Sequence, residues 1–156
     1  MQANLGVPFD QLKAVSDSLQ VLLADEFVLY TKTRNYHWNV EGGNFMEMHK
    51  FYESQYQQLE EMIDEIAERI RTIGHYSEGR LKDFIRLTRL EEPGYSNDQE
   101  EQISNLLSDH ETIIQYLRKV AELADKNKDL GSNDFSVGLM KQHEKMAWML
   151  RSYLQK

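Results

Sequence analysis

The sequence predicts an all-α fold, a four-helix bundle with a short extra helix in the connection between helices 2 and 3. Its 156 residues include only two prolines and eight glycines, a composition that favours helix over sheet. Four long segments carry apolar residues at the 3.6-residue spacing of amphipathic helices. Since the connections after the first and third segments are short, each of those helix pairs is expected to form an antiparallel hairpin. The length fits one domain spanning residues 1–156.

The four long helices are delimited by breaks in these apolar patterns. The first spans about residues 10–36 and ends before a pair of glycines. The second spans about residues 44–73 and is followed by a glycine that provides a C-terminal stop. The third follows the capping side chains of residues 96–98 and runs to about residue 125, and the fourth spans about residues 134–154.

The connection between the second and third helices is about 20 residues long, which is unusual for a structureless loop in a compact domain. Its middle part, residues 81–90, is therefore predicted to form a short helix. The side chains expected to face the bundle are Leu81, Phe84, Ile85, and Leu87 or Thr88. A connection of this length could also cross the bundle from one end to the other.

The composition excludes several classes of protein. The chain has no cysteine, so disulfides, a thiolate zinc site and a catalytic thiol are all excluded. The N-terminal residues lack the pattern of a signal peptide, and no later stretch is apolar enough to span a bilayer, so a cytoplasmic protein without membrane contact is expected. The net charge of -8 argues against a general nucleic-acid binder and favours the attraction of cations.

Metal-ligating residue types lie on one face of the second predicted helix. At about 100° per residue, the side chains of His49, Glu53, Asp64 and Glu68 fall on the same face, beside the apolar stripe. His49 and Glu53 are four positions apart, as are Asp64 and Glu68, so either pair can contact one ion. His49 and Asp64, however, are separated by roughly 22 Å of helix, far beyond the ~2 Å of a metal–ligand bond. One straight helix cannot close this site by itself.

Two copies of the helix could close it. If they pack antiparallel about a two-fold axis near Gln57, the histidine end of one chain meets the acidic end of the other, twice. His37, at the end of the first predicted helix, could complete each histidine cluster. Such mixed imidazole and carboxylate sites suit Fe(II), Mn(II) or Zn(II), and the share of carboxylates favours iron or manganese. The alternative is a non-enzymatic helical scaffold whose 26 acidic residues form solvated faces.

The same segment resembles the Dps family, the mini-ferritins that form cages in bacteria. The residues that carry the resemblance are His-Trp-Asn-Val at 37–40, Gly43, Phe45, His49, Glu53, Tyr56 and Asp-Glu-Ile-Ala-Glu-Arg at 64–69. The chain length, the four helices, the short helix in the long connection and the late Trp148 agree with the family as well. The resemblance implies a ferritin-like bundle and a dodecameric shell built from two-fold dimers.

The resemblance also implies an activity. Fe(II) would be oxidised by hydrogen peroxide in preference to O2 at ferroxidase centres in the dimer interface, and ferric mineral would be stored in the shell, which protects DNA and cell from oxidative damage. The implied ligands are His37, His49 and Glu53 from one subunit, and Asp64 and Glu68 from its partner. Trp38 is expected close to this site. The acid that the family has at the position of Glu53 is often the shorter Asp.

Two related activities are disfavoured. Ferritins and bacterioferritins build a di-iron site from Glu-x-x-His motifs, and this chain has none. A protein that mainly binds or condenses DNA is the other alternative, but residues 1–12 contain no Lys or Arg, and phosphate contacts dominate such affinity. Weak or absent DNA binding is therefore expected. The small basic cluster is interpreted as a solvated face and consists of Arg80, Lys82, Arg86 and Arg89.

Several further polar residues lie outside this pattern. The family admits iron through acidic pores at three-fold axes, which concentrate cations, and the candidates for such pores are Asp125, Asp129 and Asp134. Two tyrosines are expected to pack near the two-fold interface, Tyr52 and Tyr56. Three histidines receive no role and are expected in the core or at the surface, namely His75, His110 and His143.

Overall fold

The computed structural model describes residues 3–155 and contains five helices in this range, with no strand. They are α1 (Phe9–Asn39), α2 (Phe45–Thr72), α3 (Leu81–Leu87), α4 (Gln99–Lys126) and α5 (Leu130–Leu154). The four long helices form a bundle, and the short α3 lies in the connection between α2 and α4. This arrangement confirms the predicted all-α fold class and the extra helix.

The long connection crosses the bundle from one end to the other. Two contacts show that α1 and α4 are antiparallel. Asn105 of α4 donates to the Tyr36 hydroxyl of α1 at 3.0 Å. Lys32, one turn earlier on α1, bonds Asp109, one turn later on α4, at 2.5 Å. Since the short α1–α2 loop makes those helices antiparallel, α2 and α4 point the same way. The chain must therefore travel the length of the bundle between them, as the sequence allowed.

This crossover is fixed along the outer face of α1 by polar contacts at successive turns. Gln20 donates to the Glu78 carbonyl at 3.0 Å, and the fully buried Asp25 accepts from the Thr88 hydroxyl at 2.9 Å. Lys32 donates to the Glu91 carbonyl at 2.6 Å. Because buried polar groups are costly when they lack partners, these contacts hold the connection in one path.

The prediction for the short helix was partly wrong. α3 ends at Leu87 rather than near Leu90, and two of the residues expected to face inward, Leu81 and Ile85, are 68% and 70% exposed. The reason is the orientation of the seven-residue helix. Phe84 stacks on Phe27 of α1 with ring centroids 4.3 Å apart, and the buried Asp83 beside it bonds Arg80, so the neighbouring turns of the helix face outward.

Side-chain caps define where α4 and α5 begin. Asp98 accepts from the Glu101 amide at 2.8 Å, which confirms the predicted cap before α4. α5 begins at Leu130, earlier than the predicted residue 134, because Asp129 caps it by accepting from the Ser132 amide at 3.0 Å. Arg69 of α2 also bonds the Asp129 carboxylate at 2.9 Å and so ties this helix end to the bundle.

The largely apolar core contains a polar cluster, the interior cluster Glu26–His143–His110. All three side chains have no exposed surface, and they come from α1, α5 and α4 respectively. His143 Nε2 lies 2.7 Å from Glu26 Oε1, and His143 Nδ1 lies 2.9 Å from His110 Nδ1. These histidines and the buried His75 are thus core residues, one of the two locations expected for them.

Within residues 3–155, no helix is both long enough and apolar enough to cross a membrane.

Candidate functional site

The structure brings His37 and His49 together at one end of the α1–α2 hairpin. Their rings stack with centroids 3.7 Å apart and planes 18° apart. His37 Nδ1 lies 2.7 Å from the His49 carbonyl oxygen, and His49 Nδ1 lies 2.8 Å from the His37 carbonyl oxygen. Because a carbonyl oxygen can only accept, both Nδ1 atoms must donate, and the free lone pair of each neutral ring is on Nε2. The two backbone contacts therefore orient two imidazole nitrogens as ready metal ligands.

Glu53 and Tyr56 lie beside this histidine pair on α2. The Tyr56 hydroxyl donates to Glu53 Oε1 at 3.5 Å, and the Tyr56 ring meets the His37 ring edge-on at 5.2 Å between centroids. Burial, and then the negative charge of Glu53, raise the pKa of the Tyr56 phenol, so the phenol keeps its proton at neutral pH. Three of the five predicted ligands thus share one patch of a single chain.

The other two predicted ligands lie elsewhere. Asp64 and Glu68 are exposed on α2, which continues without a break from Phe45 to Thr72, so the separation of roughly 22 Å from His49 persists in the folded chain. Among residues 3–155, no three His, Asp or Glu side chains of this chain come close enough to hold one ion. A single chain therefore presents two separate parts of the predicted site.

A shallow groove of about 720 Å³ lies on the surface between these two parts. It contains Gln57, the residue nearest the predicted two-fold axis, and Asp64. Its remaining lining combines apolar and acidic side chains, namely Phe27, Tyr30, Glu60, Glu61, Ile63 and Ala67. Such a mixed face fits the surface of another chain better than it fits a small molecule.

Sequence reasoning missed Arg34, one turn before His37 on α1. Its guanidinium carbon lies 5.0 Å from the centre of the Tyr56 ring, 5.2 Å from the Trp38 ring and 5.6 Å from the Tyr30 ring. Its Nη1 donates to the Tyr30 hydroxyl at 2.7 Å. The available signal was the i, i+3 spacing from His37, which places both side chains on one helix face.

The predicted positions of Trp38, Tyr52 and Tyr56 have different outcomes. Trp38 is 63% exposed and its ring contacts Arg34, and its closeness to the iron site stays a prediction. Tyr56 faces the groove residue Tyr30 at 6.1 Å between ring centroids, on the side of the predicted interface. The prediction for Tyr52 was wrong, because Tyr52 is fully buried in the core against Tyr36, and burial raises the pKa of its phenol.

The structure also shows which residues of the acidic and basic clusters are engaged in contacts within the chain. Asp129 is buried, where its carboxylate bonds Arg69 and caps α5. Asp125 and Asp134 are exposed and stay candidates for cation attraction. Three members of the basic cluster are occupied by ion pairs within the chain, which are Arg80–Asp83, Arg86–Glu78 and Arg89–Asp25. These pairs favour a structural role for the cluster over phosphate binding.

The fold and this arrangement of residues define a ferritin-like protein. The ferritin-like domain family matches residues 16–156. The fold superposes on the Dps protein from Vibrio cholerae O1, described as a member of a broad superfamily of ferritin-like diiron-carboxylate proteins, with a TM-score of 0.94, 30% identity, and coverage of 99% of this chain and 98% of that one. DNA protection during starvation protein 2 of Bacillus anthracis is 34% identical over 91% of this chain and 97% of its own length.

A third relative, an uncharacterized low temperature-induced protein of Nostoc sp., is 41% identical over 97% of this chain and 86% of its own length. The chain belongs to the Dps family of the ferritin-like superfamily.

Proposed function

We propose that this protein is a cytoplasmic mini-ferritin that oxidises Fe(II) at sites shared between two-fold related subunits and stores the ferric product in a dodecameric shell. One observation carries the proposal. The chain presents an oriented histidine pair, His37 and His49, near the start of α2, and a separate acidic pair, Asp64 and Glu68, nearer its end. Neither pair is a complete iron site, and each supplies what the other lacks. Residues 1–156 act as one domain in this assembly.

The groove around Gln57 supports the pairing that completes the site. With two α2 helices antiparallel about this point, His49 of one chain is about 12 Å from the axis along the helix. The partner's Asp64 and Glu68 are about 10 and 16 Å from the axis on the same side, so His49 lies level with the stretch between them. The partner's Asp64 and Glu68 then face His37, His49 and Glu53. Two equivalent sites form per dimer.

This donor set suits Fe(II) as a substrate. Two neutral imidazoles and several carboxylates are ligands that bind Fe(II) and also stabilise the higher charge of Fe(III). Glu53 lies 3.5 Å from the Tyr56 hydroxyl and supplies the negative charge on this side of the site. In the proposed reaction two Fe(II) ions give one electron each to hydrogen peroxide, the O–O bond breaks, and two protons complete two water molecules. This two-electron route forms no hydroxyl radical; O2 is the slower alternative oxidant.

DNA binding as the main function has less support. The net charge is -8, and the arginines of the basic cluster are paired within the chain. Since phosphate contacts dominate affinity for duplex DNA, we expect no tight complex in a gel shift at physiological salt and neutral pH. A non-enzymatic scaffold is the remaining alternative, and it predicts no saturable uptake of Fe(II).

Mixed assemblies test the sharing of the site. Fe(II) is added anaerobically and then oxidised with substoichiometric peroxide, and the rate is followed by absorbance. His37→Ala and Asp64→Ala should each lose most of the rapid oxidation, whereas Glu65→Ala, an exposed acid beside Asp64, should retain it. When the two inactive chains are refolded together in equal amounts, each mixed dimer regains one intact site, so about a quarter of the wild-type sites should return.

The outcome that contradicts the proposal is equally clear. If the refolded mixture stays inactive although it contains mixed dimers, His37 and Asp64 do not belong to one site shared between chains. If all the variants oxidise Fe(II) as fast as wild type, these residues are not ligands at all.

A further inference from the structure

Within residues 3–155, Arg34 lies next to the candidate iron site and has no carboxylate of its own chain as an ion-pair partner. Within residues 3–155, every arginine except Arg34 and Arg71 forms an ion pair with a carboxylate. Arg34 is instead surrounded by the rings of Tyr30, Trp38 and Tyr56. The Tyr56 ring also contacts His37, so the guanidinium and the histidine pair lie against the same aromatic ring.

The guanidinium has donors left over after these contacts. Nη1 donates to the Tyr30 hydroxyl at 2.7 Å, whereas Nε is buried and has no hydrogen-bond partner in residues 3–155. A buried N–H without a partner is unfavourable, so an acceptor that reaches this N–H would be bound favourably. Arg34 thus offers a hydrogen-bond donor and a fixed positive charge on the side of the molecule that carries His37.

A positive charge at this place opposes the binding of a cation. Its position is nevertheless well defined, because a hydrogen bond and three aromatic faces hold it. A fixed guanidinium is useful where an oxygen atom gains negative charge during a reaction, as an oxygen of peroxide does when the O–O bond breaks. O2 has little affinity for such a donor, because it is apolar and accepts hydrogen bonds weakly.

We propose that Arg34 positions hydrogen peroxide at the iron site and makes the site selective for peroxide over O2. This inference rests on the proposed ferroxidase function. The free guanidinium N–H donates to a peroxide oxygen and stabilises the negative charge that develops there. Two electrons from two Fe(II) ions then break the O–O bond, and two protons complete two water molecules. Arg34 is neither oxidised nor consumed.

Replacement of Arg34 by Met separates this role from iron binding. In single-turnover oxidation of preloaded Fe(II), Arg34→Met should need roughly tenfold to a hundredfold more peroxide to reach half of its maximal rate. The rate with O2 should be unchanged. Fe(II) affinity measured anaerobically by calorimetry should be equal or higher, because a repulsive charge has been removed.

Two further variants sharpen the experiment. Arg71→Met is the matched control, because Arg71 also lacks an ion pair in residues 3–155 and stacks on an aromatic ring, Tyr76, at 4.3 Å, at the far end of α2. It should keep the wild-type peroxide dependence. Arg34→Lys keeps the charge but loses the planar set of donors, so it should be intermediate. If Arg34→Met does not assemble, the comparison of Arg34→Lys with wild type still decides the question.

Failure of this inference differs from failure of the proposed function. If wild type oxidises Fe(II) but the Arg34 variants slow the peroxide and O2 reactions equally, or lose Fe(II) affinity instead, Arg34 holds the protein together and does not position the oxidant. If wild type does not oxidise Fe(II) with either oxidant, the ferroxidase proposal itself is wrong.

Discussion

Replacing His110 by Asn should make the stability of this protein less sensitive to acid. His110 is fully buried in the interior cluster, and burial, followed by the nearby His143, lowers its pKa well below the usual value. Its Nε2 has no partner in residues 3–155, so a proton added there would place an unpaired charge in the core. An asparagine amide can still donate towards His143 Nδ1, but it does not take up a proton.

The sign and size of the effect follow from proton linkage. In the unfolded chain a histidine binds a proton near its ordinary pKa of 6.5, whereas folded His110 stays neutral, so the unfolded state binds more protons below that pH. Stability is therefore full above about pH 6.5 and falls as the pH is lowered. The loss from this one residue is about 2 kcal/mol between pH 7 and pH 5.

Urea unfolding at pH 7, 6 and 5, at one protein concentration, measures this difference. His110→Asn should be less stable than wild type at pH 7, because it removes packed ring atoms, and the gap should narrow by about 2 kcal/mol at pH 5. Wild type and His110→Asn both keep His75, whose pKa is also lowered by burial, so some acid sensitivity should persist in each. A gap that stays constant with pH would refute the reasoning, because it would mean that folded His110 is protonated.

Two predictions concern the bundle itself. Ile66→Ala removes a fully buried side chain of α2, so it should lower the free energy of unfolding, measured in urea, by about 2–5 kcal/mol. The control is Glu65→Ala at the neighbouring exposed position, which should change this free energy by less than about 0.5 kcal/mol. Gly131→Ala would place a Cβ 2.7 Å from Arg69 Nη2 and displace Arg69 from the Asp129 carboxylate, so thermal unfolding should show a loss of about 1–3 kcal/mol. An unchanged midpoint for Gly131→Ala would show that the Arg69 side chain accommodates the added methyl group without a loss of stability.

The bundle was predictable because its apolar positions repeat with the helical period over many turns. The ends of the helices were less predictable where a cap depends on distant residues. α5 begins early because Asp129 is both a cap and the partner of Arg69, which lies far away in the sequence. The orientation of α3 was missed for a similar reason, since a seven-residue helix has too few turns for its apolar pattern to fix its buried face.

In the candidate site, too, some features could be predicted from the sequence and others could not. The spacing of His49, Asp64 and Glu68 on one helix could be worked out from the sequence, because helix geometry is regular. The mutual bonds of the His37 and His49 rings to each other's backbone could not, since they depend on how the α1–α2 loop turns. Arg34 was missed because its environment is made by rings from two helices.

The interior cluster gives an independent reason to look for the iron site between chains. Ferritin-like bundles can hold metal ions among inward-facing Glu and His side chains, and Glu26, His110 and His143 have the right chemistry for such a site. Their geometry does not suit one ion, however, because Glu26 contacts Nε2 of His143 and His110 contacts Nδ1. These atoms lie on different edges of the imidazole ring, which therefore stands between the other two groups. The unpartnered atoms inside the bundle, such as His110 Nε2, are thus spread around one ring, whereas the histidine pair and the exposed Asp64 and Glu68 lie where a second chain can complete the site.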